Sequence, residues 1–207
     1  MPNLTLQVAA NTDDCIRSSH ATYFAHDSTS FYAGYLDGAF TDFGSAARFL
    51  NVTIPPKAII TLAKLILTCR IERLGEVVNS RCRAERNVTP LTFSTVADFN
   101  ARTWTNTHVH WNAIPVWAAE ESSANTTSPD LSACIQEVIE LPGWASGNAV
   151  VVLWDDFEQL SDQEDNHARQ AYSYNGSATK APKLYIEYTI PAPSGGSPVQ
   201  ALMAGVI

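Results

Sequence analysis

Positive charge is scarce in this chain. Of its 207 residues only 13 are Lys or Arg, against 21 Asp or Glu, and charged residues make up 16% in all, where soluble domains carry roughly a quarter. The resulting net charge of −8 repels phosphate backbones and anionic headgroups, so nucleic acid and a membrane surface are poor partners. Long apolar runs are missing as well, and none approaches the roughly 20 residues that span a bilayer. The opening Met1-Pro2-Asn3-Leu4-Thr5-Leu6-Gln7 has neither the basic nor the apolar region of a secretory signal, which leads to the expectation of a chain made in the cytosol. There is no Cys-x-x-Cys pair. The four cysteines, Cys15, Cys69, Cys82 and Cys134, lie far apart with no His spacing of the zinc type, which argues against a metal–sulfur site. They could form two disulfides or remain buried thiols, and the missing signal favours thiols. The local signatures GxSxG, HExxH, GxxxxGK(S/T) and GxGxxG are also absent, so no catalytic constellation and no cofactor is expected.

What is present is 45% hydrophobic residues, enough for a real core, cut by turn formers into short segments. That pattern predicts an all-β fold: a two-layer antiparallel β-sandwich, jelly-roll-like, with one short helix. In the run 62–71, Ala63, Leu65, Leu67, Cys69 and Ile71 share one face, and Lys64, Thr68 and Arg70 the other. In 81–86, Cys82 and Ala84 point inward between charges, as in a half-buried strand. A turn at Leu74-Gly75-Glu76 could pair these two segments and make Cys69 and Cys82 cross-strand neighbours. Ala149 through Trp154 is uninterrupted and apolar, the mark of a central strand covered on both faces. Lys183 through Tyr188 alternates again and would close the core.

One stretch breaks the β pattern. After Ser128-Pro129-Asp130, residues Leu131, Ile135, Val138 and Ile139 fall at helical spacing until Pro142-Gly143, so the helix is expected within 129–140. The sandwich domain is accordingly placed at 1–190. Residues 191–198 form a linker of Pro, Gly, Ser and Ala, and 199–207 an apolar tail without a charged side chain. Such a tail has no core of its own, and Val199, Leu202, Met203, Val206 and Ile207 are expected to bind a protein partner.

Three stretches together have a family likeness. The first is Arg48-Phe49-Leu50-Asn51-Val52-Thr53-Ile54-Pro55 through Leu65; the second is Trp111 through Trp117 with the helix and Pro142-Gly143-Trp144-Ala145-Ser146-Gly147-Asn148-Ala149. The third runs from Ala171-Tyr172-Ser173-Tyr174-Asn175-Gly176 to Ala181-Pro182-Lys183-Leu184-Tyr185-Ile186-Glu187-Tyr188. They resemble the DNRLRE-type β-sandwich modules, relatives of carbohydrate-binding modules found in bacterial surface proteins and in phage virions. The chain departs from the family pattern at Lys57, where Gly is usual, and at Glu140-Leu141, where a basic residue is usual. The resemblance implies a sandwich and, in some relatives, a structural calcium. Fold alone does not imply activity.

Candidate sites follow from residue chemistry. His108 and His110 share a strand face and could ligate a metal, though alternation on an exposed strand accounts for them equally. Asp13 and Asp14 are the candidates for calcium, because aspartates near the start match the family's opening. The acidic loop Asp155-Asp156-Phe157-Glu158 with Asp162, Glu164 and Asp165 offers further oxygens but no EF-hand spacing. Trp104 and Trp117 are the candidate sugar-stacking platforms, and Trp154 reads as core. Trp144 is expected as a buried anchor beyond the helix, in a turn formed with Gly143, Gly147 and Asn148. Tyr23, Phe24, Phe31, Tyr32 and Tyr35 form an aromatic region that could pack inward or face a partner.

Two functions are expected in order. The first is a non-catalytic structural protein of an assembled particle, a phage virion decoration, cement or fibre-type subunit made in the host cytoplasm, whose partners are copies of itself or capsid or tail proteins. The second is an extracellular or cell-surface carbohydrate-binding module that uses exposed Trp or Tyr.

Overall fold

The computed structural model describes residues 1–20, 22–36 and 41–192, so the tail residues Val199, Leu202, Met203, Val206 and Ile207 lie outside the described residues. Within them the strands are β1 (Asn3–Gln7), β2 (Asp14–Ser18), β3 (Phe24–Ala25), β4 (Ser30–Tyr35), β5 (Asp42–Phe49), β6 (Ile59–Ile66), β7 (Cys69–Ile71), β8 (Ser80–Ala84), β9 (Val109–Trp111), β10 (Val150–Asp155), β11 (Ala168–Tyr172) and β12 (Lys183–Thr189). Helix α1 spans Val96–Ala101 and α2 spans Ser132–Ile139. The strands form two antiparallel sheets packed as a sandwich. The smaller runs β1-β12-β6. The larger runs β7-β11-β4-β5-β10-β8-β9, and β2 pairs with β5 and β3 beside that path.

The core between the sheets is built by the alternating residues of both. Phe49, Ala47, Val150, Val152, Trp154, Cys82 and Ala84 of the larger sheet face Ala63, Leu65, Leu184 and Ile186 of the smaller. At its centre Phe31, Trp111, Trp117 and Trp154 form an aromatic cluster, Trp117 and Trp154 stacked with ring centroids 5.9 Å apart. The Trp154 indole donates to Ser80 Oγ at 2.8 Å, and that of Trp117 to the Asn125 carbonyl at 2.9 Å. These two large rings are thus buried with their indole donors paired.

Helix α2 lies where the spacing predicts, and Leu131, Ile135, Val138 and Ile139 are all buried. Its start is organised by Asp130, which accepts from Ser132 N and also from Ala63 N on the outer edge of β6, both at 2.9 Å. One carboxylate therefore stops the edge and opens the helix. Helix α1 is an addition to the expected single helix. Thr95 caps it, accepting from Asp98 N, and the Asp98 carboxylate returns to Ser94 N, so Thr95-Val96-Ala97-Asp98 carried a readable start signal.

The expected strand at 62–71 is two strands in different sheets. Leu67 N donates to the Thr126 carbonyl and Cys69 N to the Glu121 carbonyl, so the segment at 117–128 grips the backbone where it crosses from one sheet to the other. Alternation survives the crossing because both sheets face one core; Ala63, Leu65, Leu67 and Cys69 are buried, whereas Ile71 is exposed. The expected pairing across Leu74-Gly75-Glu76 also does not form. β7 pairs with β11, and β8 lies between β10 and β9. Gly75 instead packs against Asn166 and His167 so closely that a Cβ would lie 2.5 Å from the Asn166 carbonyl oxygen. Cys69 and Cys82 are therefore not cross-strand neighbours, and all four cysteines are free and buried.

Candidate functional site

The outer face of the larger sheet carries a second, smaller core. Side chains of β10 alternate, so Val151 and Leu153 point away from the main core and meet Cys15 of β2 and Ala46 of β5. The excursion at 85–105 folds over them with Phe93 and Phe99, and Phe24, Trp104 and Phe157 pack at its rim. Phe99 reaches this place because α1 is a single short turn-and-a-half whose only buried side chain it is.

Between this cap and β2 opens a cleft of about 390 Å³. Phe99 forms its floor, with the Trp104 ring 5.6 Å and the Phe157 ring 6.4 Å from it, centroid to centroid. Arg17 and Asn100 line one wall, and Ser19 lies at the exposed mouth. Arg17 Nε donates to Asn100 Oδ1 at 3.4 Å and Nη1 to the His20 carbonyl at 2.8 Å. Arg102, beside them, is paired with Glu85 at 2.7 Å and Asp98 at 3.0 Å and lies over the Phe93 ring. Next to Trp104, Arg83 lies 5.7 Å over the indole and pairs with Asp155.

Trp104, expected as a stacking platform, is half-buried and forms part of this cleft. Trp117 is not such a platform. It is 1% exposed, because its ring completes the aromatic cluster of the main core. Sequence reasoning missed Arg17, Phe99, Asn100 and Phe157, which come together only when the cap folds onto β2.

The aspartate pair is drawn apart by its partners. Asp13 Oδ1 accepts from Arg48 Nη1 at 2.7 Å. Asp14 Oδ2 accepts from Tyr174 N at 2.7 Å. Burial, opposed by that amide and reinforced by the Asp13 charge, raises the Asp14 carboxyl to about 7. One carboxylate is neutralised by a guanidinium and the other is held by the closing loop, so they do not make the shared oxygen cage expected for calcium. Among the described residues no group of three or more His, Cys, Asp or Glu side chains could hold a metal ion. In the acidic loop, Asp155 pairs with Arg81 and Arg83, and Asp156 accepts from Leu160 N and Ser161 N. Those carboxylates hold the loop against the sheet. His108 and His110 have rings 5.0 Å apart and edge to face.

The turn after α2 is as expected. Trp144 is 6% exposed and donates to the Ile54 carbonyl at 3.0 Å. Gly143 and Gly147 have φ of +91° and +99°, a conformation that only Gly adopts without strain. Gly147 N donates to the Val52 carbonyl, and the Asn148 carbonyl accepts from Val52 N, fixing the turn to the strand segment that carries Ile54. In the aromatic region, Phe31 is fully buried, and Tyr23, Phe24, Tyr32 and Tyr35 are half-buried.

No family model matches this chain, and a search of curated proteins finds none similar to it. The fold defines it as a mostly-β protein of two antiparallel sheets packed face to face.

Proposed function

We propose that this chain is a structural, non-catalytic subunit of an assembled particle, of the virion decoration, cement or fibre type, and that residues 199–207 join it to a neighbouring copy by strand addition. The observation that carries this reading is the open outer edge of β1. Tyr188 N donates to the Pro2 carbonyl and Val8 N to the Pro182 carbonyl. With the register Leu4 to Ile186 and Leu6 to Leu184, the even residues of β1 bond to β12, and the odd residues, Asn3, Thr5 and Gln7, turn their backbone groups outward. Those groups have no backbone partner among the described residues. The other edge of the same sheet, β6, is covered by Ser128, Asp130 and Leu131. A sheet with one closed and one open edge offers a single template for an added strand. Exposed Met1, Ile59 and Ile190 gather at the end of this sheet where the chain leaves for the linker. The segment 199–207 is apolar and without a charged side chain in sequence, a composition suited to such an edge. The likeness to DNRLRE-type modules, some of which belong to virions, supports the same reading.

Light scattering on three proteins tests it: the full chain, a chain lacking 191–207, and Thr5→Pro. Proline removes an outward N–H while leaving the bonds to β12 intact. The full chain is expected to assemble and the two variants to be folded monomers. A full chain that stays monomeric, or a truncated chain that assembles as well as the full one, overturns the proposal.

A second reading, a carbohydrate-binding module at a cell surface, is favoured by one observation: Trp104 belongs to a cleft with two further rings.

A further inference from the structure

We propose that the cleft of Trp104, Phe157 and Arg17 takes a sugar residue that carries a carboxylate, with the ring lying on the aromatic side chains and the carboxylate on the Arg17 guanidinium. This inference rests on the carbohydrate-binding reading and specifies its ligand.

Arg17 is the reason for the acid. It is 8% exposed, yet it pairs with no carboxylate among the described residues, unlike its neighbours Arg81, Arg83 and Arg102. A guanidinium carries five N–H donors in a flat fork. Here Nε is used on Asn100 and Nη1 on the His20 carbonyl, and both acceptors are neutral. The remaining donors have no acceptor among the described residues, and burial, with no compensating charge, pushes the guanidinium down from its ordinary value. Arg17 lines the open cleft, where a carboxylate would meet its remaining donors through charge-assisted, bidentate bonds.

The rest of the cleft favours a saturated ring over a bare anion. Trp104 and Phe157 are both half-buried and both pack on Phe99, leaving apolar ring surface at the opening for the C–H face of a pyranose. Arg83 lies over Trp104, which holds the indole in place. At the mouth, the exposed Asn100 offers its amide to ring hydroxyls, while the Ser19 hydroxyl is already bonded to Thr41 and Asp42. The volume of about 390 Å³ suits one or two sugar residues rather than a long chain. Of the acidic groups around the cleft, Asp155 pairs with Arg81 and Arg83, Asp98 and Glu85 share Arg102, and Asp42, which accepts from Ser19 Oγ at 3.3 Å, pairs with no arginine among the described residues, so the favourable place for an anion is the Arg17 wall.

The test is titration calorimetry of the full chain with trigalacturonate and with its methyl ester, which keeps the ring and removes the charge. Sialyllactose and lactose form a second pair, which separates uronic from sialic acids as the source of the carboxylate. The acid of at least one pair is expected to bind about tenfold or more tightly than its neutral partner, a preference weakened by salt. Arg17→Gln should abolish the preference while Trp104→Ala weakens the acid and any neutral binding together. Because Arg17 also holds the His20 carbonyl, Arg17→Lys provides a variant that keeps a cation there without the fork, and it should retain a reduced preference for the acid where Arg17→Gln retains none. Equal binding of acid and neutral sugar would overturn the inference and leave the carbohydrate-binding reading standing. No binding by any of the four sugars would overturn both.

Discussion

Replacing Asp14 by Asn should stabilise the protein near neutral pH and leave it almost unchanged in acid. Asp14 is 1% exposed, and its burial lifts the carboxyl from 3.8 to about 7. Between those values the folded chain keeps a proton that the unfolded chain has released. The folded state binds more protons there, so stability falls as pH rises from about 4 to about 7 and is flat above that. The displacement corresponds to at most about 4 kcal/mol by pH 8, since a tenfold change in proton affinity is worth about 1.4 kcal/mol. Asparagine keeps an oxygen to accept from Tyr174 N and cannot ionise, so it removes this slope. Asp156, raised to about 6 mainly by burial, slopes in the same direction in both proteins and cancels in the comparison. Urea unfolding of the two proteins from pH 4 to pH 8 measures the difference, which should grow by about 2–4 kcal/mol in favour of the Asp14→Asn protein across the window. A difference that is constant with pH would refute the reasoning, because it would mean that Asp14 titrates alike in the folded and unfolded chain.

Trp144→Ala should cost about 3–5 kcal/mol in urea unfolding, since it empties a site against the main core and leaves the Ile54 carbonyl without its donor; a loss under about 1 kcal/mol would show that the turn does not depend on the ring. The four thiols are all buried, and burial raises those of Cys69 and Cys134 to about 11. Iodoacetamide at pH 8 should therefore label none in the native protein and all four after unfolding without reductant, and two fewer than four would reveal a disulfide.

Much of the architecture can be read from short-range pattern. The uninterrupted run at 150–154 became a strand buried on both faces, and alternation at 183–188 became the middle strand of the smaller sheet. The spacing of Leu131, Ile135, Val138 and Ile139 located α2 because a helix of 3.6 residues per turn places those four on one side. Glycines at 143 and 147 marked a turn that needs positive φ. The helix α1 could have been found in the same way, from Thr95 and Asp98.

Side-chain period belongs to the chain itself, and so the sequence alone marked the extended segments at 150–154 and 183–188, the coiling of α2, and which face of each is apolar. It could not determine which strand lies beside which. The residues 63–69 alternate without a break although the chain changes sheets at Leu67-Thr68, because both sheets bury the same face. Whether Trp104 or Trp117 keeps an open ring was likewise undecided by composition; one joined a rim beside Arg83 and the other a core against Trp154, both distant in sequence. The buried Arg17 is the plainest case. No sequence pattern singled it out, and its lack of a counter-charge among the described residues, with the three rings that make a cleft beside it, exists only once the segment at 85–105 has folded across the sheet. Long-range contacts of that kind carry no periodic signal, and only the tertiary structure decides them.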